Sequence, residues 1–278
     1  MTPMGTDTAA AADQQVADKH RAMWASGDYP KLATELVAPL GQVLVEALGI
    51  GPGDRVLDVA AGTGNAAIPA ARTGATVTAS DLVPELLAHG RALATQAGVE
   101  LDWQEANAHA LPFGDNDFDV VMSCIGVMFA PIHERAAGEL VRVCRAGGRL
   151  GLINWTPEGY IGTLFSTMKP FMPPPPPGAQ PPPLWGREQH VRELFGDRVT
   201  DVAAERRALT VDHFADGAAF RDYFKAVYGP TIAAYRNIAG DAQRVAELDA
   251  AIAGIGDEFL QGSSVMEWEY LLVTARVA

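Results

Sequence analysis

Between Arg55 and Trp155 the chain alternates short apolar runs with amphipathic stretches of helical period, and this alternation limits the fold more than any other feature. Apolar runs at about 55–60, 76–80, 99–104, 118–125 and 149–155 predict strands, while the stretches at about 65–73, 84–97 and 133–146 predict helices. The helices have local support. Pro84 suits a first helical position, Leu86, Leu87, Gly90, Leu93, Ala94 and Ala97 share a face, and Gly98 suits the C-terminal cap. A second face, Ala137, Leu140, Val141 and Cys144, runs into Gly147 and Gly148. Strands separated by helices connect through right-handed crossovers, so the expected fold is α/β, a doubly wound and mostly parallel sheet. Such sheets bind ligands at the carboxyl ends of their strands.

The flanking segments extend this core. Val16, His20, Met23 and Trp24 share one helical face, and Leu32, Leu36, Leu40, Val43, Leu44 and Ala47 form a longer stripe. Pro30 discourages helix at Tyr29 between them. After Trp155, nine of the chain's 19 prolines fall between Pro170 and Pro183, a run that cannot be helix interior or central strand and that predicts a polyproline II excursion. A helix starting near Arg187, a strand near 201–211 and an aromatic-rich helical segment from Asp216 to Ile238 follow. In the last strand Met266, Trp268, Tyr270 and Leu272 alternate with Glu267 and Glu269. That makes seven strands, the last forming an antiparallel closure. A single domain over 1–278 is expected: N-terminal helices to 50, a core over 51–155, a cap over 156–260 and a last strand over 261–278.

Charge and composition narrow the function classes. Lys and Arg total 21 against 34 Asp and Glu, a formal charge of −13 with no basic run, so neither nucleic acid nor an anionic membrane surface is an expected partner. The first residues lack the basic start and apolar centre of a signal peptide, and no apolar stretch is long enough to span a bilayer, which predicts a cytoplasmic protein. Two cysteines, Cys124 and Cys144, and six histidines show no metal-ligand spacing. A homo-oligomer stays open.

The stretch VLDVAAGTGNAA, from Val56 to Ala67, runs from strand through a glycine turn into helix-forming residues. Gly62, Gly64 and Ala67 satisfy the dinucleotide pattern, and Asp81 follows Gly62 by 19 residues, near the interval of a ribose-binding acid. An NAD(P)-dependent oxidoreductase and an S-adenosylmethionine enzyme both need such a turn and acid. Asp58 separates them. A carboxylate four residues before Gly62 disfavours the pyrophosphate of a dinucleotide and favours a zwitterionic tail bearing an ammonium. Asn107 then adds a polar group after the third strand, and a Y-x-x-x-K proton-donor motif of an oxidoreductase is missing.

In these motifs, together with VTASDLVPELLAHGRA, EANAHALPFGDNDFDVVMSCIGVMF and ELVRVCRAGGRLGLINWTPEG, the chain resembles the class I S-adenosylmethionine-dependent methyltransferases. The likeness is to the small-molecule group related to the ubiquinone and menaquinone C-methyltransferases and to actinobacterial natural-product methyltransferases, and it covers roughly Trp24 to Gly159. It implies a Rossmann-like fold. It further implies that Asp58 and the backbone of Ala60, Gly62 and Gly64 line the methionine end of the cofactor, which leaves as S-adenosylhomocysteine. Asp81 would hold the ribose hydroxyls, Leu82 would lie against adenine, Asn107 and Ala108 would meet the adenine edge, and Cys124 would sit beside the sulfonium. Asn107 stands where the family commonly has Asp, and Ala60 where many members have Gly. His109, in the adenine-side loop, is expected to face solvent.

Methyl transfer from a sulfonium demands mainly that the acceptor be held near the methyl carbon in a dry pocket, with a base only where the acceptor must lose a proton. His133, Glu158 and Tyr160 follow the fourth and fifth strands and are the candidates for that base or for anchoring the acceptor. In the family the N-terminal segment folds over the cofactor, so Trp24 and Tyr29 are expected in a lid. Phe129 and Trp155, at the ends of the fourth and fifth strand regions, are candidates for the acceptor wall. Phe220, Tyr223, Phe224, Val227 and Tyr228 form first a core stripe, from which Tyr223 and Tyr228 are expected to roof an apolar acceptor. The expected reaction is methylation of a small apolar or aromatic metabolite at O, N or C. A cyclase or a non-catalytic binder would keep the same glycine turn.

Overall fold

The computed structural model describes residues 5–278, with side chains from Gln14 onward. The strands β1 (Arg55–Val59), β2 (Thr76–Asp81), β3 (Asp102–Glu105), β4 (Phe118–Cys124), β5 (Cys144–Trp155), β6 (Val199–Val211) and β7 (Met266–Val277) form one seven-stranded sheet in the order β3-β2-β1-β4-β5-β7-β6. β1 to β5 pair in parallel, and β7 enters antiparallel between β5 and β6. Val56, Leu57 and Val59 of β1 are all buried, as a central parallel strand covered on both faces requires. The strand order reverses between β1 and β4, which opens a crevice at their carboxyl ends.

The helices follow local chemistry. At the N-terminus α1 (Gly5–Trp24) is followed by α2 (Tyr29–Leu32), which against the sequence reading begins at Tyr29 itself: Pro30 sits in the first turn, where no helical N–H is lost, and Asp28 caps the N-terminus by accepting from the Lys31 N–H at 3.1 Å. A π-turn over Ala33–Val37 joins it to α3 (Ala38–Leu48). Pro39 explains the turn, because it withholds the N–H that an α-helix would give to Glu35. The crossover helices are α4 (Ala67–Arg72), α5 (Pro84–Gln96) and α6 (His133–Val143), close to the expected spans. After β5 come α7 (Tyr160–Met168), α8 (Glu188–Phe195), α9 (Gly217–Val227), α10 (Gly229–Ile238) and α11 (Ala242–Leu260).

Three further features depart from the sequence reading. β5 begins at Cys144 rather than near 149: helix gives way to strand at once, Cys144 pairs with Phe118, and the irregular register between Phe118 and Val120 absorbs the turn at Gly147 (φ 69°). The aromatic segment divides at Tyr228, where Pro230 takes up a first-turn position of α10. Neither α7 nor α11 was anticipated; α11 starts at Asp241, which caps the amides of Gln243 and Arg244.

Residues 173–177 of the proline run hold no regular secondary structure, and the segment is tied back by Gln180 N–H donating to the Pro131 carbonyl at 2.9 Å. At the outer edge, β6 carries Glu205, Arg206 and Arg207 and a register irregularity at Asp201 (φ 52°), devices that blunt an exposed strand. Among the described residues no helix is long and apolar enough to cross a membrane.

Candidate active site

At the crevice the backbone leaves both central strands under strain. Ala60 and Ile125 take φ values of 55° and 56°, a region costly for residues with a Cβ and most of all for a branched one. Close packing holds them there: a Cβ on Gly126 would lie 2.2 Å from the Ala60 carbonyl oxygen. Gly62 (φ 56°) and Gly64 (φ 81°) complete a turn whose surface is bare backbone, fixed by Gly64 N–H donating to the Ala61 carbonyl at 2.8 Å.

Two acids flank the turn. Asp81, at the end of β2, accepts from the Gly62 N–H at 2.8 Å and from the Val83 N–H at 2.9 Å. Burial still outweighs those bonds and pushes its carboxyl up to about 6. Asp58, in β1, is 1% exposed, and neither carboxylate oxygen has a hydrogen-bonded partner of good geometry. Burial pushes it up to about 8, the Ala67 amide and then Asp81 being the lesser influences. The Tyr29 ring lies over the turn, so close that a Cβ on Gly62 would stand 3.0 Å from its Cε1.

Above the turn lies a cavity of about 270 Å³. Of the residues expected at the cofactor, Ala60, Gly62, Asp81, Leu82, Asn107 and Ala108 line it. Trp24, Tyr29 and Phe129 line it as well. Asp58, Gly64 and Cys124 lie behind this wall: Cys124 is buried against the Asn65 amide, and Gly64 packs under Trp103. Burial drives the Cys124 thiol far above the ordinary thiol range, so it is held as SH.

The loop from Ala106 to Asp117 is held by α6. Arg142 donates to the carbonyls of Phe113 at 2.8 Å and Leu111 at 3.0 Å, and Glu139 accepts from the Leu111 N–H at 2.6 Å. Within the loop, Asn107 Oδ1 accepts from the His109 N–H at 3.0 Å. His109 itself corrects the sequence reading. It lines the cavity rather than facing solvent, and its Nε2 accepts from the Ile132 N–H at 3.1 Å.

The three candidates for base or anchor are not brought together at the cavity. His133 is fully buried beneath Trp185, its Nδ1 2.9 Å from His190 Nε2, and burial with the neighbouring histidines lowers it to about 3. Glu158 is half exposed and pairs with Arg187 at 2.7 Å and Arg206 at 3.4 Å. Tyr160 is buried in aromatic core, its ring stacked 4.5 Å from Trp268. Tyr223 points away as well, its hydroxyl donating to Glu35 at 2.8 Å.

Trp155 and Tyr228 line a second, smaller space deeper in the molecule, bordered also by Phe224 and Trp268. Ring contacts join it to the cavity wall: the Trp24 ring meets Phe129 at 4.7 Å, Tyr29 at 5.6 Å and Tyr228 at 5.8 Å, all edge to face. Several cavity residues carried no local signal in the sequence. Ala17 of α1, Ile125, Ile132 and Pro176 line the cavity, but only their three-dimensional neighbours distinguish them from ordinary apolar residues.

Comparisons agree with this architecture. A family described as a methyltransferase domain matches residues 57–152. The chain is 54% identical over 272 residues to protein Rv1405c of Mycobacterium tuberculosis, with 98% of this chain and 99% of that one aligned. It is 39% identical over 115 residues to the demethylmenaquinone methyltransferase of Thermus thermophilus, covering 40% of this chain and 52% of the relative. Among solved structures, the YcgJ protein of Bacillus subtilis superposes with a TM-score of 0.58 at 16% identity, covering 86% of this chain and 98% of that one. The matched segment spans β1 to β5, the stretch that builds the turn, both acids and the loop at the cavity. With the sheet order and the glycine turn between Asp58 and Asp81, these matches place the chain in the class I S-adenosylmethionine-dependent methyltransferases.

Proposed function

We propose that the protein transfers a methyl group from S-adenosylmethionine to an uncharged, apolar or aromatic small molecule. The observation that carries this reading is Asp58: a buried carboxylate without a good partner, set behind bare backbone at the floor of the cavity. Such a group suits the ammonium of an amino-acid tail and opposes a pyrophosphate. When bound, S-adenosylmethionine supplies an electrophilic methyl on a sulfonium, with a neutral thioether as leaving group. The chain's residues then bind and orient. Asp58 and the backbone of Ala60, Gly62 and Gly64 hold the methionine end, the spare lone pairs of Asp81 take the ribose hydroxyls, Leu82 supports the adenine face, and Asn107 with Ala108 meets its edge. Cys124, as a neutral thiol, contributes apolar surface behind the sulfonium.

Trp24, Tyr29 and Phe129 close the cavity to water, and in-line transfer needs the acceptor atom within ~3 Å of the methyl carbon. The aromatic rings of this wall favour an uncharged acceptor, and Arg135, His20 and His109 line the cavity beside them. Glycine-turn binding alone does not distinguish transfer from a cyclase on the same scaffold, so turnover is the second readout. Calorimetry with S-adenosylmethionine, S-adenosylhomocysteine and NAD side by side tests the cofactor, and mass spectrometry of an acceptor panel, read for the gain of one methylene unit, tests the reaction. Tight NAD binding without response to the other two would overturn the proposal.

A further inference from the structure

The smaller space beside Trp24 measures about 20 Å³ as it stands, and it becomes large enough for a ring only if the Trp24 indole moves out of it. Its walls are aromatic and aliphatic, with Trp155, Ile161, Phe224, Tyr228 and Trp268 on the inner side. Yet two of these side chains carry unused polar atoms. The Tyr228 hydroxyl and the Trp268 indole N–H are both buried and neither has a hydrogen-bond partner, while their side chains are only 4% and 1% exposed. A buried donor left unmade is costly, and both belong to residues that line this one apolar space, so a ligand acceptor atom within their reach would relieve them.

The space also adjoins the cofactor cavity directly. Trp24, Tyr29, Ile125 and Phe129 line both. Ile125 is one of the two strained residues at the strand ends, and strain of this kind persists where surrounding structure enforces it, commonly at functional sites. Behind Trp24 the backbone is clamped, since Gly27 and Gly229 pack where a Cβ would lie 2.3 Å from the Val227 oxygen and 2.5 Å from the Met23 oxygen. The Asp28 N–H also donates to Val227 at 2.9 Å. Entry of a ligand ring would therefore require the indole to turn about its side-chain torsions, and that ring shows what its neighbours accept: a flat bicycle met edge-on by Tyr29, Phe129 and Tyr228.

We propose that the acceptor is a flat, uncharged ring compound carrying a carbonyl or ether oxygen, that its ring enters this space as the Trp24 indole turns aside, and that its oxygen accepts from Tyr228 and Trp268. The inference rests on the methyltransferase reading, because it places the ring next to the methionine end of the cofactor cavity. It adds the substrate class and two specificity-determining donors, neither of which touches the proposed cofactor contacts. Tyr228 and Trp268 are thus binding residues for the acceptor, and a preference between ring compounds reads them more directly than a rate.

Chromone, a bicyclic aromatic ketone, and naphthalene, its oxygen-free counterpart, are suitable probes, titrated into full-length protein saturated with S-adenosylhomocysteine and followed by tryptophan fluorescence. Chromone is expected to bind about tenfold more tightly than naphthalene, and Tyr228→Phe is expected to remove most of that preference while leaving naphthalene unchanged. Because the hydroxyl has no partner in the fold, Tyr228→Phe is also expected to melt no lower than wild type. Trp24→Ala, which empties the space beside Tyr228, is expected to strengthen both probes and to keep the preference for chromone. The proposal is overturned if chromone shows no saturable binding in either the wild type or Trp24→Ala, or if Tyr228→Phe weakens both probes equally. A lowered melting point of Tyr228→Phe overturns it too, since the hydroxyl would then have a structural partner. Failure of S-adenosylhomocysteine to bind in the same samples would instead count against the methyltransferase reading itself.

Discussion

Asp58 and Asp81 share the crevice but differ in what the fold has already given them. Both oxygens of Asp81 hold backbone amides, so the acid shapes the turn as well as offering spare lone pairs. Asp58 has no such bonds of good geometry, and burial raises it to about 8. Its raised value makes a signed prediction. The native state holds a proton that the unfolded chain releases near the ordinary carboxylate value of about 4, so this contribution to stability is full below that value and is lost as pH rises towards about 8. Asp58→Asn is therefore expected to be more stable than wild type at pH 8 and about equal at pH 4, as measured by thermal melts without cofactor. The same residue couples binding to protons. An ammonium brought near Asp58 favours the charged carboxylate, so calorimetry of S-adenosylmethionine at pH 7 in buffers of different ionisation enthalpy is expected to show proton release, which Asp58→Asn abolishes. Asp81→Ala is expected to weaken S-adenosylhomocysteine by ~1–3 kcal/mol, the scale of losing charge-assisted hydrogen bonds, and to lower the melting point because two amides lose their partner.

At the scale of elements, the α6 to α8 contact shows how a residue can look catalytic in sequence and be structural in space. His133 follows β4 in the chain, where acceptor-site residues are expected, but as the first residue of α6 it turns under Trp185 and meets His190 of α8. Both rings are held neutral: burial lowers each of them, and His133 falls to about 3. The stability that this neutral pair contributes is present above the ordinary histidine value of ~6.5 and is lost as pH falls towards about 3. His133→Gln is expected to flatten the decline in melting temperature between pH 6.5 and 4 while leaving cofactor affinity at pH 7 unchanged; a large affinity loss would return His133 to the site. The same contrast explains which parts of the site were legible. Asp58, Asp81 and the glycines were readable because their roles follow from covalent spacing within a strand, turn and helix, and Asn107 because it follows β3 by two residues. Glu158 and Tyr160 follow β5 by three and five residues, but Arg187 and Arg206 draw Glu158 outward, while Trp268 and Phe220 draw the Tyr160 ring into the core. Those partners come from distant segments, and local spacing carries no record of them. α11 escaped notice for a related reason: its buried side chains, among them Leu248, Ile252 and Ile255, pack on α7 and α9, and their burial depends on that assembly.

Across the whole molecule, the sheet fixes the cofactor turn while segments remote in sequence close the cavity over it. α1 supplies Val16, Ala17, His20 and Trp24 to the wall, and the proline run supplies Pro176 and Pro177. The two contributions differ in what else they support. Among the described side chains of α1 only Ala17 is a buried apolar one, whereas the sheet and the helices on its faces bury dozens of larger side chains. Its described contacts with the rest of the protein include the packing on α10, the half-exposed Arg21 to Glu105 ion pair and the Trp24 rings. An exposed ion pair of this kind contributes ~0–1 kcal/mol, too little to decide whether the sheet folds. Removal of residues 1–24 is therefore expected to leave a cooperatively melting protein with a melting temperature lowered by a few degrees. The cavity, however, loses one wall. A bound S-adenosylhomocysteine would be open to water on that side, and its dissociation is expected to quicken by about tenfold or more, with a smaller change in association rate. Stopped-flow displacement on the truncated and intact proteins measures both rates. Equal dissociation rates would mean that α1 merely rests on the surface, and loss of cooperative melting would mean that it is part of the folding core.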